Sequence, residues 1–299
     1  MTQLTSSLML VLLSVSTLGW ADSGETCVII TGLGGMPEYE ENFEKWGTSI
    51  ETICRDELKA RVHRLDARTQ RRTDVLSVFE TAAADQNQTV WLFLIGHGTF
   101  DGRDYKFNIK GPDLTGNDLV SFFNALGSAR IRAVVATSSS GGLIEELSGP
   151  NRVVITATKS DRERQPPLFL SFFIEGAGAA EADVNKDGKV SIQEVFAFSE
   201  QKLATWYEDR GRIQTEHPIL DDSSHQASLA YLSSPPEQAY RSLEARNLAP
   251  QRQDLERSIE DLKLRKGDLS SAEYYQQLEK LLVELAALNE RIRQLEGEE

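Results

Sequence analysis

Two cysteines and four histidines in 299 residues are too few for a structural zinc cluster, which needs four thiolate or imidazole ligands at short spacings. Basic residues are also in deficit, 32 Lys+Arg against 46 Asp+Glu, for a formal net charge of −14. An acidic surface repels both the phosphates of nucleic acid and anionic lipid headgroups, so neither is expected as a partner, and cations are the natural small ones. Long apolar runs are missing too. The most apolar stretch near the amino terminus, Leu8 to Trp20, is too short to cross a bilayer but has the length of a signal-peptide core, with the small residues Gly19 and Ala21 around its end. No Lys or Arg precedes it. Residues 1–21 are therefore read as a signal peptide and the mature chain as secreted or periplasmic, without a membrane span; a frayed amino-terminal helix is the alternative.

What is present is a series of short, continuous apolar runs. Thr26 to Thr31 (TCVIIT), Val90 to Gly96 (VWLFLIG), Ala133 to Thr137 (AVVAT) and Val153 to Thr158 (VVITAT) show no polar alternation, which marks strands buried on both faces. Segments of helical spacing lie between them: Phe43 to Leu58, Thr73 to Ala84, Asp118 to Leu126 and Leu143 to Leu147. Arg61 to Leu65 is a further short strand. This alternation predicts right-handed βαβ crossovers and a mostly parallel sheet covered by helices. The strands ending at Gly32, His97 and Ser138 would then open onto one edge, where ligands bind in such sheets. The turn Gly32-Leu33-Gly34-Gly35 has neither dinucleotide-loop nor phosphate-loop spacing, and the glutamates 38, 40 and 41 that follow would repel phosphate.

The end of the chain has another character. After Ser233-Ser234-Pro235-Pro236, Leu255, Ile259 and Leu262, then Leu278, Leu281, Leu285, Leu288, Ile292 and Leu295, recur at alternating steps of three and four. Residues 233–299 are read as a linker and a helical hairpin or coiled coil, able to pack on the rest of the chain or to self-associate.

The segment Asp183 to Glu194 (DVNKDGKVSIQE) carries oxygen ligands at loop positions one, three, five, nine and twelve and glycine at six, the pattern of an EF-hand calcium loop. Ca²⁺ takes six to eight hard oxygens. Asp183, Asn185 and Asp187 would each give one, Lys189 its carbonyl, Ser191 its hydroxyl directly or through water, and Glu194 two. Val195 to Trp206 is the expected exiting helix, whereas Phe169 to Gly178 ends in a Gly/Ala-rich stretch that argues for a lone structural loop rather than a paired sensor.

A histidine ends one buried strand and a serine the next. His97 and Ser138 would pair as base and nucleophile only with a group to orient the imidazole, and no acid in the sequence clearly does so; Asp101 is merely close by. These residues carry a resemblance. GHGTFDG after a buried strand, followed by VVATSSSGG at the end of the next, is similar to the caspase-like cysteine peptidases, the legumain (asparaginyl endopeptidase) branch in particular, over about residues 26–222. The resemblance implies a caspase-like three-layer α/β sandwich over residues 25–232. It makes His97 the catalytic histidine, Gly98 part of the oxyanion-stabilising backbone, and residues 158–164 a substrate-facing loop. It also puts Ser138 where the family has its nucleophilic cysteine; Cys27 and Cys54, on the first strand and first helix, are not placed to replace it. The expectation is a degenerate peptidase homologue that binds calcium and a peptide or protein ligand. Two alternatives stand beside it: an active endopeptidase using Ser138 (or Ser139 or Ser140) with His97, and a protein whose helical end does the work on a calcium-stabilised platform. Cys27 and Cys54 are open to pairing in an oxidising compartment and equally to remaining buried thiols.

Overall fold

The computed structural model describes residues 24–66, 71–84, 89–185, 188–233 and 242–297. The proposed signal peptide, Asp187 of the proposed calcium loop and most of the linker after Ser233 lie outside them. In chain order the elements are β1 (Glu25–Thr31), α1 (Pro37–Thr52), β2 (Arg61–Asp66), α2 (Arg72–Ala84), β3 (Thr89–Gly96), β4 (Gly98–Phe100), β5 (Tyr105–Phe107), β6 (Leu114–Thr115), α3 (Gly116–Ala125), β7 (Arg130–Thr137), α4 (Ile144–Leu147) and β8 (Arg152–Thr156). There follow α5 (Phe169–Ala177), β9 (Val190–Ser191), α6 (Ile192–Asp209), β10 (Ile219–Asp221), β11 (Tyr231–Ser233), α7 (Leu243–Leu264) and α8 (Ser271–Glu296).

The main sheet runs β10-β8-β7-β3-β1-β2. Its neighbours from β2 to β8 are all parallel, and only the edge strand β10 is antiparallel. Successive residues of a strand point to opposite faces, so each unbroken apolar run feeds two cores. Cys27, Ile29, Trp91, Phe93, Ile95 and Val134 pack with the buried faces of α1, α5 and α6. Val28, Ile30, Leu92, Leu94 and Val135 pack with α2, α3 and α4 on the other side. The architecture is a three-layer α/β sandwich, as the alternation of strands and helices predicts.

Registry brings the expected edge together. Thr31 is paired with Ile95 and Gly96 with Thr137, so the residues that follow, Gly32, His97 and Ser138, leave the sheet side by side. Two features differ from expectation. The sheet has a sixth strand, β10, and β4, β5 and β6 form a separate antiparallel sheet just beyond His97. All four are two or three residues long, too short to leave a periodic signature. Helix α1 passes at Ile53 into a π-helical turn that carries Cys54. Cys27 and Cys54 are free, buried thiols lying against one another, and burial first, then the neighbouring thiol, pushes Cys27 well above the usual thiol range.

Helices α7 and α8 pack as the antiparallel hairpin that the leucine spacing indicates, turning at Lys266–Asp268. Among the described residues no helix is long and apolar enough to cross a membrane.

Phe93 is fully buried on the α1/α5 side of the sheet, whereas Ile213 is 88% exposed. Phe93→Ala is expected to lower unfolding free energy in urea by about 3–5 kcal/mol, and Ile213→Ala to change it by less than about 0.5 kcal/mol.

Candidate functional site

His97 is half-buried between the rings of Tyr39 and Phe43 on α1, with centroids 5.0 and 5.1 Å from the imidazole and both rings meeting it edge-on. Its Nε2 lies 3.0 Å from the carbonyl oxygen of Gly34. A carbonyl can only accept a hydrogen bond, so Nε2 carries the proton and, in the neutral ring, Nδ1 is the bare nitrogen. The imidazole is therefore oriented by a main-chain oxygen, where a side-chain acid would be sought in a triad. Asp101 plays no part in this: its carboxylate accepts from the Arg103 and Asp104 N–H groups and from Lys106, first of all Lys106, which holds it well below the usual carboxylate range.

The turn that supplies Gly34 is built for this position. Gly32 N–H donates to Ile95 O at 2.7 Å and Leu33 N–H to Asn108 O at 3.0 Å, so these two donors are committed within the fold rather than offered to a phosphate. A Cβ on Gly34 would lie 2.4 Å from the main-chain nitrogen of Glu40, so only glycine lets the turn settle on the start of α1.

Across the edge, the strand ends of β3 and β7 meet closely. A Cβ on Gly98 would lie 2.3 Å from the Ser138 carbonyl oxygen and 2.6 Å from the Tyr105 hydroxyl, which is why the residue after His97 is glycine. Beneath them the fully buried Tyr105 hydroxyl and the Thr137 hydroxyl are 2.6 Å apart, and Thr137 also donates to Ser138 O at 3.2 Å. Burial pushes the Tyr105 phenol far up, so it stays protonated and acts as a structural pin.

The three serines after β7 have different fates. Ser138 is beside His97, 3% exposed, and among the described residues its hydroxyl makes no hydrogen bond. Ser139 is left-handed (φ 58°), its N–H donates to Glu163 O at 2.8 Å, and its buried hydroxyl has no partner among the described residues. Ser140 is buried, and its hydroxyl is 3.1 Å from that of Thr158 and accepts the Thr158 N–H at 3.2 Å. The Ser140 hydroxyl is thus committed to Thr158, and that of Ser139 is enclosed without a partner among the described residues. The His97–Ser138 neighbourhood is the part of the expected site that the fold brings together.

A second cluster closes the serine turn from the β8 side. Glu163 sits in the 158–164 segment; its carboxylate accepts from the Lys159 and His217 N–H groups at 2.9 and 3.1 Å, and Oε1 is 2.5 Å from His217 Nδ1. Next to it Glu216, fully buried, accepts the Leu168 and Phe169 N–H groups at the start of α5 at 2.8–3.0 Å. Desolvation outweighs these donors and pushes Glu216 up from 4.5 to about 7. None of these three carries a motif: Glu163 falls in the loop singled out for its position, and His217 and Glu216 become meaningful only when β10 is paired with β8.

The calcium-loop residues lie at the other end of α1. A cavity of about 560 Å³ is bordered by Thr52, Ile53, Ala177, Asp183, Gly188 and Val190, ten residues or roughly 15 Å along the helix axis from Phe43. Gly188 (φ 80°) donates to Asp183 Oδ2 at 3.0 Å, closing the loop. Glu194 Oε1 accepts the Val184 and Asn185 N–H groups at 3.1 and 3.2 Å, while Oε2 accepts from Ser191 in a capping box that starts α6. Val190, buried, is in β9, whose partner is β11 rather than a second loop of the same kind. Among the described residues no three His, Cys, Asp or Glu side chains form a metal-binding group; the loop's third carboxylate, Asp187, lies outside them.

No family model matches the chain, and no curated protein does. Among solved structures it is similar to caspase-1 from Spodoptera frugiperda, at 11% identity and TM-score 0.45 over 72% of this chain and 91% of that one. It is also similar to the Drosophila initiator caspase Dronc, at 11% identity and TM-score 0.46 over 66% of this chain and 79% of that one. A likeness this distant says nothing of activity, and the functional reading rests on the chain's own geometry.

The Glu216 shift has a measurable consequence. Between 4.5 and about 7 the folded chain holds a proton on Glu216 that the unfolded chain has released, so stability falls as pH rises through that window, by at most about 1.4 kcal/mol per pH unit. Urea unfolding from pH 4.5 to 8 should show this slope in the wild type relative to Glu216→Gln, in which it is lost.

Proposed function

We propose that the chain is a secreted or periplasmic protein of the caspase/legumain-like peptidase fold whose catalytic centre has degenerated. It uses the edge around His97 to hold a peptide or protein ligand and one calcium ion to stabilise the fold. The observation that carries this is the residue beside His97: a serine in place of a cysteine, whose hydroxyl is not bonded to the imidazole among the described residues. A thiol ionises near pH ~8.5 and needs only a nearby imidazole to give a nucleophilic thiolate. A hydroxyl must lose its proton to a bonded base during attack, and that bond is not made here. On this reading His97 and the Gly98 backbone are remnants of a peptidase centre that has lost its nucleophilic thiol. The bare Nδ1 of His97 favours the second reading, an endopeptidase in which ligand binding brings Ser138 onto His97.

For calcium, Asp183, Asn185, Lys189, Ser191 and Glu194 supply the oxygens together with Asp187. The ion would crosslink the loop and draw Glu194 from its capping role; its chemistry there is neutralising charge, not catalysis.

Incubated with a mixed peptide library in calcium, the wild type and Ser138→Ala should leave it intact and Ser138→Cys should gain cleavage. Cleavage by the wild type that Ser138→Ala abolishes would establish the serine-endopeptidase reading instead. Glu194→Gln keeps a residue able to cap α6 while removing the bidentate carboxylate. Calorimetry should show calcium affinity falling at least about tenfold, with the metal-free melting temperature little changed and its calcium-induced rise reduced; equal affinity would mean that the loop does not bind the ion.

A further inference from the structure

Helix α8 carries one apolar seam, which the hairpin uses, and beside it a short cluster of exposed apolar side chains. Tyr274, Leu278, Leu281, Leu285, Leu288, Ile292 and Leu295, at steps of four and three, are the buried or half-buried side that faces α7. One residue on from each of the first six is a second row: Tyr275, Glu279, Leu282, Ala286, Asn289 and Arg293, all exposed. Tyr275 is 59% exposed, Leu282 47% and the flanking Val283 62%, three of the seven large exposed hydrophobics among the described residues, and all within nine residues. An open groove of about 450 Å³ runs along them. Single exposed apolar residues need no explanation; a cluster of them lining one groove does.

We propose that this face is covered by α8 of a second copy of the chain, running antiparallel about a two-fold axis level with Glu284. The row is self-complementary in that direction. Leu282 falls opposite Ala286 of the other copy, a large residue against a small one, Tyr275 falls opposite Arg293, and Glu279 opposite Asn289, one turn from Arg293. Each pairing occurs twice, as an isologous contact requires. Arg293, which in the single chain pairs with Glu290 of its own helix, would add a cation–π contact over the Tyr275 ring and opposite charge near Glu279. A parallel copy would instead set Glu279 on Glu279 and Arg293 on Arg293. The direction is thus selected by the two charges of this row, acidic at Glu279 and basic at Arg293. With one helix per copy in contact, the interface belongs to the small, exchanging class, and it is independent of the reading of the His97 edge.

Light scattering and sedimentation of the full mature chain over a roughly hundred-fold concentration range should show a monomer passing to a dimer. Leu282→Glu with Ala286→Glu, both on an exposed surface and therefore compatible with folding, should remain monomeric with unchanged circular dichroism. Direction is read by crosslinking. Under mild oxidation a mixture of Glu279→Cys and Asn289→Cys should give the disulfide-linked dimer and neither variant alone should, the native thiols being buried. A chain monomeric throughout, a dimer indifferent to the Leu282/Ala286 change, or crosslinks formed by each single variant alone would overturn the proposal.

Discussion

The close approach of two parallel strand ends sets the rest of the site. Gly98 backs onto the Ser138 carbonyl with no room for a side chain, and the Tyr105–Thr137 pair pins both from below. That approach fixes how His97 and Ser138 sit relative to each other. It exists because β3 and β7 are neighbours in one register across an unbroken apolar sheet. The orienting contact comes from a third neighbouring strand: β1 ends in the turn whose Gly34 carbonyl holds the imidazole. Three strand ends therefore make one device, and a change at any of them reaches the others through backbone rather than through flexible side chains.

Much of this was legible in the sequence, for a physical reason. Strands buried on both faces must be continuously apolar, and the glycine, histidine or serine that ends each run marks the edge where the chain leaves the core. What the sequence hides is whatever depends on main-chain atoms or on very short elements. Gly34 acts through its carbonyl, which no side-chain motif announces. The β4–β5–β6 sheet and β10 are too brief for periodicity, and without β10 there is no reason to bring His217 and Glu216 to Glu163. The three serines read alike in sequence; only the left-handed turn at Ser139 and the Ser140–Thr158 bond separate them from Ser138.

The helices on one face tie the two ends of the sheet together. Helix α1 begins with the aromatic walls of His97 and ends at the cavity beside residues 183–194. Helix α5 starts at the Glu216 carboxylate and leads down to Asp183, and α6 returns from Glu194 towards His217. A calcium ion held by that loop would stiffen both helices at the end remote from His97. On the proposed reading such an ion would be structural, framing the sheet without taking part in chemistry.

The central claim is that Ser138 lacks the activation of a nucleophile, and a fluorophosphonate probe tests it directly, since such probes label serines made reactive by a base. With calcium present, mass spectrometry of the treated protein is expected to find no phosphonylated Ser138. A stoichiometric adduct on Ser138 that disappears in His97→Ala would contradict the account.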